Sequence, residues 1–213
     1  MTLGAEKVVR FGRGPYMKPV RLILVIVFAF PFGFAAGSSM TELERQRLVA
    51  HLEMTGAWLP DEVSGLSPAQ LRFRPAPSTW NILEVLEHLA ISNPIYWKQL
   101  HEAMKKPPDR SKPTGTDEGI LWYGIDRTQR EKAIPSEDAK GRLREVSSPL
   151  AALRRLHEEM LRYARTTHDD LRAHYVERQG SDVYQWFLLI STHEQRHILQ
   201  IRELKAHPEF PKR

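Results

Sequence analysis

Apolar residues recur every three or four positions along most of the chain from residue 40 onward, which is the period of an α-helix. A first amphipathic helix is predicted from about Thr41 to Ser64. Its buried face is formed by Leu48, Leu52, Thr55, Leu59 and Val63. The letters Ser67-Pro-Ala-Gln70 then predict a capped helix start, which Pro75 and Pro77 limit to a short turn.

The second and third helices are each predicted from a polar cap that precedes an apolar stripe. The second begins at Ser78 or Thr79 and runs to about Met104, with a kink at Pro94. The third opens at Ser148-Pro149, because proline is favoured in the first turn of a helix. Both helices present one apolar face to a core. The buried side of the third is marked by Leu153, Leu156, Met160, Ala164 and Leu171.

The fourth helix is predicted to begin after a cap at Ser181 or Asp182 and to end before Pro208. Four long helices indicate an all-α domain over residues 40–207, an up-and-down four-helix bundle. A long loop, residues 105–147, joins the second and third helices, and its prolines and glycines predict irregular structure. Its one apolar cluster, Ile120-Leu-Trp-Tyr123, is expected to dock over the mouth of the bundle, as a core plug or as a substrate contact.

Residues 1–37 form a leader with the layout of a secretory signal peptide. A short positive segment, Met17-Lys-Pro-Val-Arg21, precedes the apolar run Leu22–Phe34, and small residues follow where a peptidase would cut. These features predict a start at Met17 and a periplasmic or secreted protein without stable membrane insertion after leader cleavage. Pro31 and the short length disfavour a membrane span. An uncleaved membrane anchor and a cytosolic protein that starts at Met40 are the alternatives.

The distribution of charge argues against nucleic-acid binding. The formal net charge of the 213 residues is +5 at pH 7. Most of this excess lies in the leader, where five basic residues face a single acidic one, so the folded part lacks a stripe that could neutralise several phosphates. The chain contains no cysteine, which excludes disulfides and a cysteine nucleophile.

Two histidines interrupt the apolar stripe of the fourth helix. They occupy positions at which a structural helix would carry Leu or Ile. Histidines at i and i+4 lie on one face of a helix, so both can reach a single metal ion. Burying two imidazoles without a shared partner would leave polar nitrogens unsatisfied, so the pair predicts a metal site. The stripe reads Val183, Phe187, Ile190, His193, His197, Ile201 and Leu204.

A third ligand is expected upstream of this pair. His88 is the first candidate because it lies one turn after Glu84, at the border of the apolar stripe of the second helix. His157 on the third helix is the reserve ligand. Three histidines with an open coordination position are typical of a reactive site. The other histidines fall on polar stretches or helix ends and are interpreted as surface residues: His51, His101, His168, His174 and His207.

The letters His193-Glu-Gln-Arg-His197 also match the His-Glu-x-x-His pattern of zinc peptidases, in which the glutamate is the general base. Gln200 and Glu203 stand where the metzincin extension needs a glycine and a histidine, which makes a peptidase the least favoured reading. Glu194 is therefore a candidate catalytic residue, either as a general base or as a group that supports the ligands. Its plain alternative is a solvated helix carboxylate.

Several short motifs resemble the DinB-like (damage-inducible) superfamily, which includes YfiT-type metal hydrolases and bacillithiol- and mycothiol-dependent transferases. The resemblance spans about residues 40–206 and implies a four-helix bundle whose metal triad carries over to His88, His193 and His197. It implies no DNA binding. The thiol-dependent members look cytosolic, whereas this chain carries an export-type leader, which leaves the nucleophile open. The motifs are Leu66-Ser-Pro-Ala-Gln-Leu71, Arg74-Pro-Ala-Pro-Ser-Thr-Trp-Asn-Ile82, Glu87-His-Leu89, and His193-Glu-Gln-Arg-His197 with Gln200-Ile201.

The residues favour a metal-dependent enzyme, of hydrolase or transferase type, that acts on a small-molecule substrate. The ion would activate water or a small thiol, with Trp80, Trp122 and Tyr123 as pocket walls or as ordinary core. A non-catalytic envelope protein that binds metal is the alternative; a ligand-sized cavity would favour the enzyme, and a fourth protein ligand the binder. Zinc, nickel and iron all accept imidazole, so the cofactor is predicted only as a divalent metal ion. A homodimer through helix faces is a further prediction.

Overall fold

The computed structural model describes residues 40–178 and 180–212; the predicted leader lies outside them. Four long helices form a bundle, which confirms the predicted all-α four-helix fold. Within the described ranges, no helix combines the length and the apolar character that crossing a membrane requires. The elements in chain order are α1 (Glu42–Val63), α2 (Pro68–Arg72), α3 (Ile82–Met104), α4 (Asp117–Ile125), α5 (Ser147–Thr166), a 3-10 turn (Leu171–Ala173), β1 (Tyr175–Val176), β2 (Ser181–Asp182) and α6 (Val183–Lys205).

The order of the helices around the bundle sets which faces meet. Helix α6 packs against α1 and α3, and α5 packs against the same two helices from the other side. The successive long helices α1 and α3 therefore lie on a diagonal. Because α6 contacts two long helices and α4, its side chains are buried on nearly every face, and Tyr184, Trp186 and Phe187 are fully enclosed. A histidine on α6 that faces α3 is thus excluded from bulk water.

The helix starts follow from local capping. Glu44 and Thr41 form a capping box at α1, and Asp182 caps α6 as the sequence predicts. The start predicted for the second long helix at Ser78 or Thr79 is wrong, because Asn81 caps α3 through a hydrogen bond from the Glu84 N–H. Thr79 instead closes a turn on the carbonyl of Ala76. Helix α3 then continues through Pro94 as one helix.

The start and end of α5 also differ from the prediction. The helix begins at Ser147, one residue before the predicted Ser148-Pro149 start, and it ends at Thr166. The Glu145 carboxylate caps the helix, because it accepts hydrogen bonds from the N–H groups of Ser147 and Ser148. Leu171, predicted on this helix, lies in the 3-10 turn.

The connection between α3 and α5 contains a helix, α4, that the prediction of irregular structure missed. Thr116 caps it by accepting from the Gly119 N–H. Gly124, one of the glycines that predicted irregular structure, lies where α4 comes into close contact with α6. A Cβ at this position would lie 2.9 Å from the Thr192 Cβ. The Arg196 guanidinium on α6 donates to the carbonyls of Tyr123, Asp126 and Gln129 at the end of α4. The apolar cluster, which was predicted to dock over the mouth of the bundle, therefore lies on α4 and docks onto α6.

Candidate metal centre

Three histidines meet where α3 faces α6. His88 comes from α3, and His193 and His197 come from successive turns of α6. The Nε2 atom of His193 lies 3.1 Å from that of His88 and 3.2 Å from that of His197. One nitrogen of each ring lies within 4.8 Å of the other two. The structure thus brings together the three residues that the sequence predicts as ligands, with exposed fractions of 3%, 5% and 9%.

Hydrogen bonds at the far side of two rings fix how these histidines face one another. Nδ1 of His88 lies 2.7 Å from the carbonyl oxygen of Glu137, which can only accept, so the proton is on Nδ1. Nδ1 of His197 lies in the same way 2.8 Å from Oε1 of Gln200. In a neutral imidazole the other nitrogen is then a bare lone pair. Two lone pairs therefore point at Nε2 of His193.

The electrostatics keep the rings neutral. Burial lowers the pKa of His88, and burial together with the neighbouring rings lowers the pKa of His193 well below its usual value. Burial and the nearby His88 lower the pKa of His197 to about 3. Neutral imidazole is the form that coordinates a metal. At neutral pH the cluster is therefore ready to bind a cation without first losing protons.

The donor set fits a divalent metal ion. Three converging nitrogens cannot satisfy one another, because at most one of them carries a proton toward the others. Ligand nitrogens at about 2.1 Å from a tetrahedral ion lie about 3.4 Å apart, close to the observed separations of 3.1 and 3.2 Å. Among the described residues, this cluster consists of histidines alone, with no carboxylate as a fourth member.

A cavity of about 1110 Å³ opens beside the cluster. Trp80 forms one wall, with its ring 4.9 Å from that of His88, and Tyr96 forms another, with its ring 5.2 Å from that of His193. Ile120 and Tyr123 of α4 also line it, whereas Trp122, predicted as a wall, is 62% exposed. The volume lies just above the range of about 300–1,000 Å³ for small-molecule sites, so the cavity has room for a small-molecule substrate.

Glu137 is the contact of this centre that the sequence reasoning missed. Its carbonyl orients His88, and its buried carboxylate accepts hydrogen bonds from Tyr96 and Arg178. Burial raises the pKa of this carboxyl, but the bonds from Arg178 and Tyr96 outweigh burial and lower it overall. Glu137 lies in a connection without hydrophobic periodicity, so no sequence signal pointed to it.

Glu194 and His157 lie apart from the three histidines. Consecutive residues of a helix point in different directions, so Glu194 faces away from its neighbour His193. Its Oε2 accepts from Asn93 Nδ2 at 3.0 Å and lies 3.5 Å from His157 Nε2. Both side chains line a different cavity. The structure does not bring the reserve ligand His157 to the cluster, and the catalytic role predicted for Glu194 stays a prediction.

Of the histidines interpreted as surface residues, His168 is exposed, whereas His51, His101, His174 and His207 are half-buried. Nδ1 of His51 lies 2.6 Å from Ser191 Oγ. His207 lies at the edge of the large cavity. None of these five belongs to the cluster that could hold a metal ion, as judged within residues 40–178 and 180–212.

Comparison with protein families covers most of the bundle. The profile of the DinB superfamily matches residues 42–201, from the start of α1 almost to the end of α6. The chain belongs to the DinB superfamily. It is 31% identical over 156 residues to the uncharacterized protein YuaE of Bacillus subtilis (strain 168), a match that covers 68% of this chain and 89% of YuaE.

A solved structure with the same fold is that of YfiT from Bacillus subtilis. The TM-score is 0.55 at 19% sequence identity, over 78% of this DinB chain and 89% of the other. YfiT is described as a probable metal-dependent hydrolase with an unusual four-helix bundle topology. At this identity the likeness establishes the fold alone.

Proposed function

We propose that this DinB protein is a metal-dependent enzyme, of hydrolase or thiol-transferase type, that acts on a small molecule. The observation that carries the proposal is the opening of three buried, neutral histidine nitrogens onto a cavity of about 1110 Å³. Membership of the DinB superfamily and the description of YfiT as a probable metal-dependent hydrolase support it. The identity of the ion stays among zinc, nickel and iron.

His88, His193 and His197 would hold the ion through their Nε2 atoms. A divalent ion bound there supplies Lewis-acid activation of a nucleophile or of a polar substrate bond. The carbonyl of Glu137 and the amide of Gln200 hold two of the rings in the required tautomer. These supports come from the protein itself, so the site is organised before an ion binds.

Other cavity residues would receive the substrate. Trp80 presents an apolar ring beside His88 and excludes water from that side. Arg178 uses two of its N–H groups on the Glu137 carboxylate and has further donors for a negatively charged substrate group. The Tyr96 hydroxyl donates to the same carboxylate, and burial raises the pKa of Tyr96, so it stays protonated. Tyr96 would therefore act as a fixed wall and hydrogen-bonding group.

The alternatives have less support. A sequestering metal protein would be expected to close the coordination sphere with a fourth protein ligand, and no carboxylate among the described residues joins the three histidines. A peptidase of the His-Glu-x-x-His class needs its glutamate beside the ion, whereas the Glu194 carboxylate contacts Asn93. The signal-like leader supports export to the periplasm or the medium, with a membrane-anchored form as the alternative.

The test combines metal content and turnover. The full chain is purified without a histidine tag or chelator, incubated with zinc, nickel or iron(II), and analysed by elemental mass spectrometry beside His88→Ala, His193→Ala and His197→Ala. His168→Ala, an exposed histidine, is the matched control. Near-stoichiometric metal in the parent and the control, lost in the three variants, is expected. Each loaded form is then assayed against ester, amide and thiol-acceptor substrates, and activity is expected to follow metal content.

Two results would contradict the proposal. A parent chain that binds none of the three metals would show that the histidine cluster is not a metal site. Stoichiometric metal without turnover of any substrate class would favour the non-catalytic metal-binding bundle instead.

A further inference from the structure

A second cavity lies between α1 and α5, with one end closed by α6. Its volume is about 340 Å³, and it shares no lining residue with the cavity beside the three histidines. This volume lies at the lower end of the range of about 300–1,000 Å³ for small-molecule sites. Five of its ten lining residues are aliphatic, namely Leu59, Pro60, Leu150, Ala151 and Leu153, and the exposed Ser147 and Arg154 also line it. It therefore suits a small molecule with an apolar body.

The inner end of this cavity carries two buried polar side chains. His157 is 6% exposed and Glu194 is 1% exposed. Within the described part of the chain, Oε1 of Glu194 and Nε2 of His157 have no hydrogen-bond partner. Buried polar atoms are rarely left in this state, because they lose their bonds to water and gain nothing in return. A ligand in the cavity would supply hydrogen-bond partners for these two atoms.

The chemistry of these two atoms specifies the ligand. Nδ1 of His157 lies 3.1 Å from the Leu153 carbonyl, which can only accept, so with the proton on Nδ1 the Nε2 atom, 3.5 Å from Glu194 Oε2, is an acceptor. Burial raises the pKa of Glu194, and a cation beside it would favour the carboxylate, in which Oε2 accepts from Asn93 and Oε1 is a second acceptor. The cavity thus ends in two acceptors. A carboxylate has no donor for them and a hydroxyl has one, whereas a primary ammonium has three.

We propose that this cavity binds a small primary aliphatic amine. The ammonium group donates to Oε1 of Glu194 and to Nε2 of His157, and the alkyl chain packs against Leu59, Leu150 and Leu153. The Glu194 carboxylate compensates the positive charge of the ligand at the buried inner end of the cavity. Gly56 keeps room for the His157 ring, since a Cβ there would stand 3.1 Å from the ring Cδ2.

This site is independent of the metal proposal, because Glu194 and His193 face different cavities on α6. The assignment gives Glu194 a role in recognition rather than in chemistry at the histidine cluster. It also explains why a carboxylate is buried at a position where a core helix would carry an aliphatic side chain.

Isothermal titration of the full chain with n-hexylamine, n-hexanol and hexanoate tests the assignment. Ala151→Phe fills the cavity from α5, and its matched control, Ala152→Phe, places the same ring on the next, exposed residue. Glu194→Gln removes the charged acceptor. His88→Ala is included because an amine can also coordinate a metal ion. Circular dichroism checks that each variant is folded.

The expected result is saturable binding of hexylamine, at least about tenfold tighter than that of hexanol or hexanoate. Affinity should fall at least about tenfold in Ala151→Phe and Glu194→Gln and stay unchanged in Ala152→Phe and His88→Ala. Absence of saturable binding would overturn the proposal, as would equal affinity for hexanol, binding that survives Ala151→Phe, or binding lost in His88→Ala. If Glu194→Gln does not fold, the proposal is still tested by the relative affinities for hexylamine and hexanol and by the comparison of Ala151→Phe with Ala152→Phe.

Discussion

Nδ1 of His88 donates to the carbonyl oxygen of Glu137 at 2.7 Å, across 49 positions of the chain. Glu137 also anchors its own segment, since its carboxylate accepts hydrogen bonds from Tyr96 and Arg178. A connection that looks irregular in sequence thus reaches the candidate metal centre at a backbone atom. The orientation of one ligand ring depends on how firmly that connection is held.

Replacement of Glu137 by Ala is expected to weaken metal binding without removing a ligand. The segment loses its anchor, and the carbonyl that orients His88 gains freedom, so affinity should fall about 10- to 100-fold. Competition with a chromophoric chelator measures the change. Glu131→Ala, an exposed residue of the same connection, is the control. Equal affinity of Glu137→Ala and the parent would show that the hydrogen bond does not position His88.

The stability of the metal-free protein is expected to fall as the pH decreases from about 6.5 toward 3. The folded-state pKa of His197 is about 3, against an ordinary value of 6.5, so the unfolded chain binds more protons within this window. The free energy of unfolding therefore rises with pH, by up to about 1.4 kcal/mol per pH unit for each such group. Urea denaturation at a series of pH values measures it. His197→Gln should flatten the curve, and an unchanged slope in that variant would contradict the assigned cause.

Gly124→Ala is expected to destabilise the protein by about 1–3 kcal/mol through overpacking. The added Cβ would lie 2.8 Å from Gln195 Oε1 and 2.9 Å from Thr192 Cβ, so α4 must move away from α6. Gly115→Ala is the matched control, since a Cβ there meets nothing within 4 Å. Thermal and urea unfolding of the two variants make the comparison. Equal stabilities would show that α4 does not depend on close approach.

Arg172→Met is expected to cost about 2–4 kcal/mol of unfolding free energy, a value reduced from that of a fully buried pair because the side chain is 23% exposed. The guanidinium binds Glu44 of α1, Asp117 of α4 and the α6 cap Asp182, so its loss removes a cation from three carboxylates, of which Asp117 keeps Arg47. Arg165→Met, which breaks an exposed pair with Glu53, should cost far less. Chemical denaturation of the two variants measures these losses of unfolding free energy. Similar losses in Arg172→Met and Arg165→Met would contradict the role of Arg172 in connecting the helices.

The ligands and the long helices were predictable because each leaves a periodic signal. His193 and His197 occupy stripe positions of an amphipathic helix, and His88 borders the stripe of another, so the pattern that predicts the bundle also selects them. Helix termini were less certain where several polar residues compete, as Ser78, Thr79 and Asn81 do at the start of α3. Only the residue whose side chain reaches the N–H three positions on becomes the cap.

The rest of the site depends on contacts that a linear pattern does not contain. An apolar stripe does not say which neighbour it packs against, so the diagonal placement of α1 and α3 was not predictable. Helix α4 is short, and its glycines indicate a break in regular structure when only the sequence is considered. The reason for Gly124 is its close contact with α6, which the sequence of α4 does not contain. Glu137 acts partly through its backbone carbonyl, which every residue has.

The distance along the chain between the histidines has a thermodynamic consequence. His88 and His193 are 105 positions apart, and they meet only after α3 and α6 have packed. An ion that requires all three rings binds the folded chain and has little affinity for the unfolded one. Its stabilisation then grows as RT ln(1 + [M]/Kd), or about 2.7 kcal/mol at 100 times Kd, where [M] is the concentration of free ion. An ion held by these three histidines would therefore couple the stability of the fold to the supply of free metal around the protein.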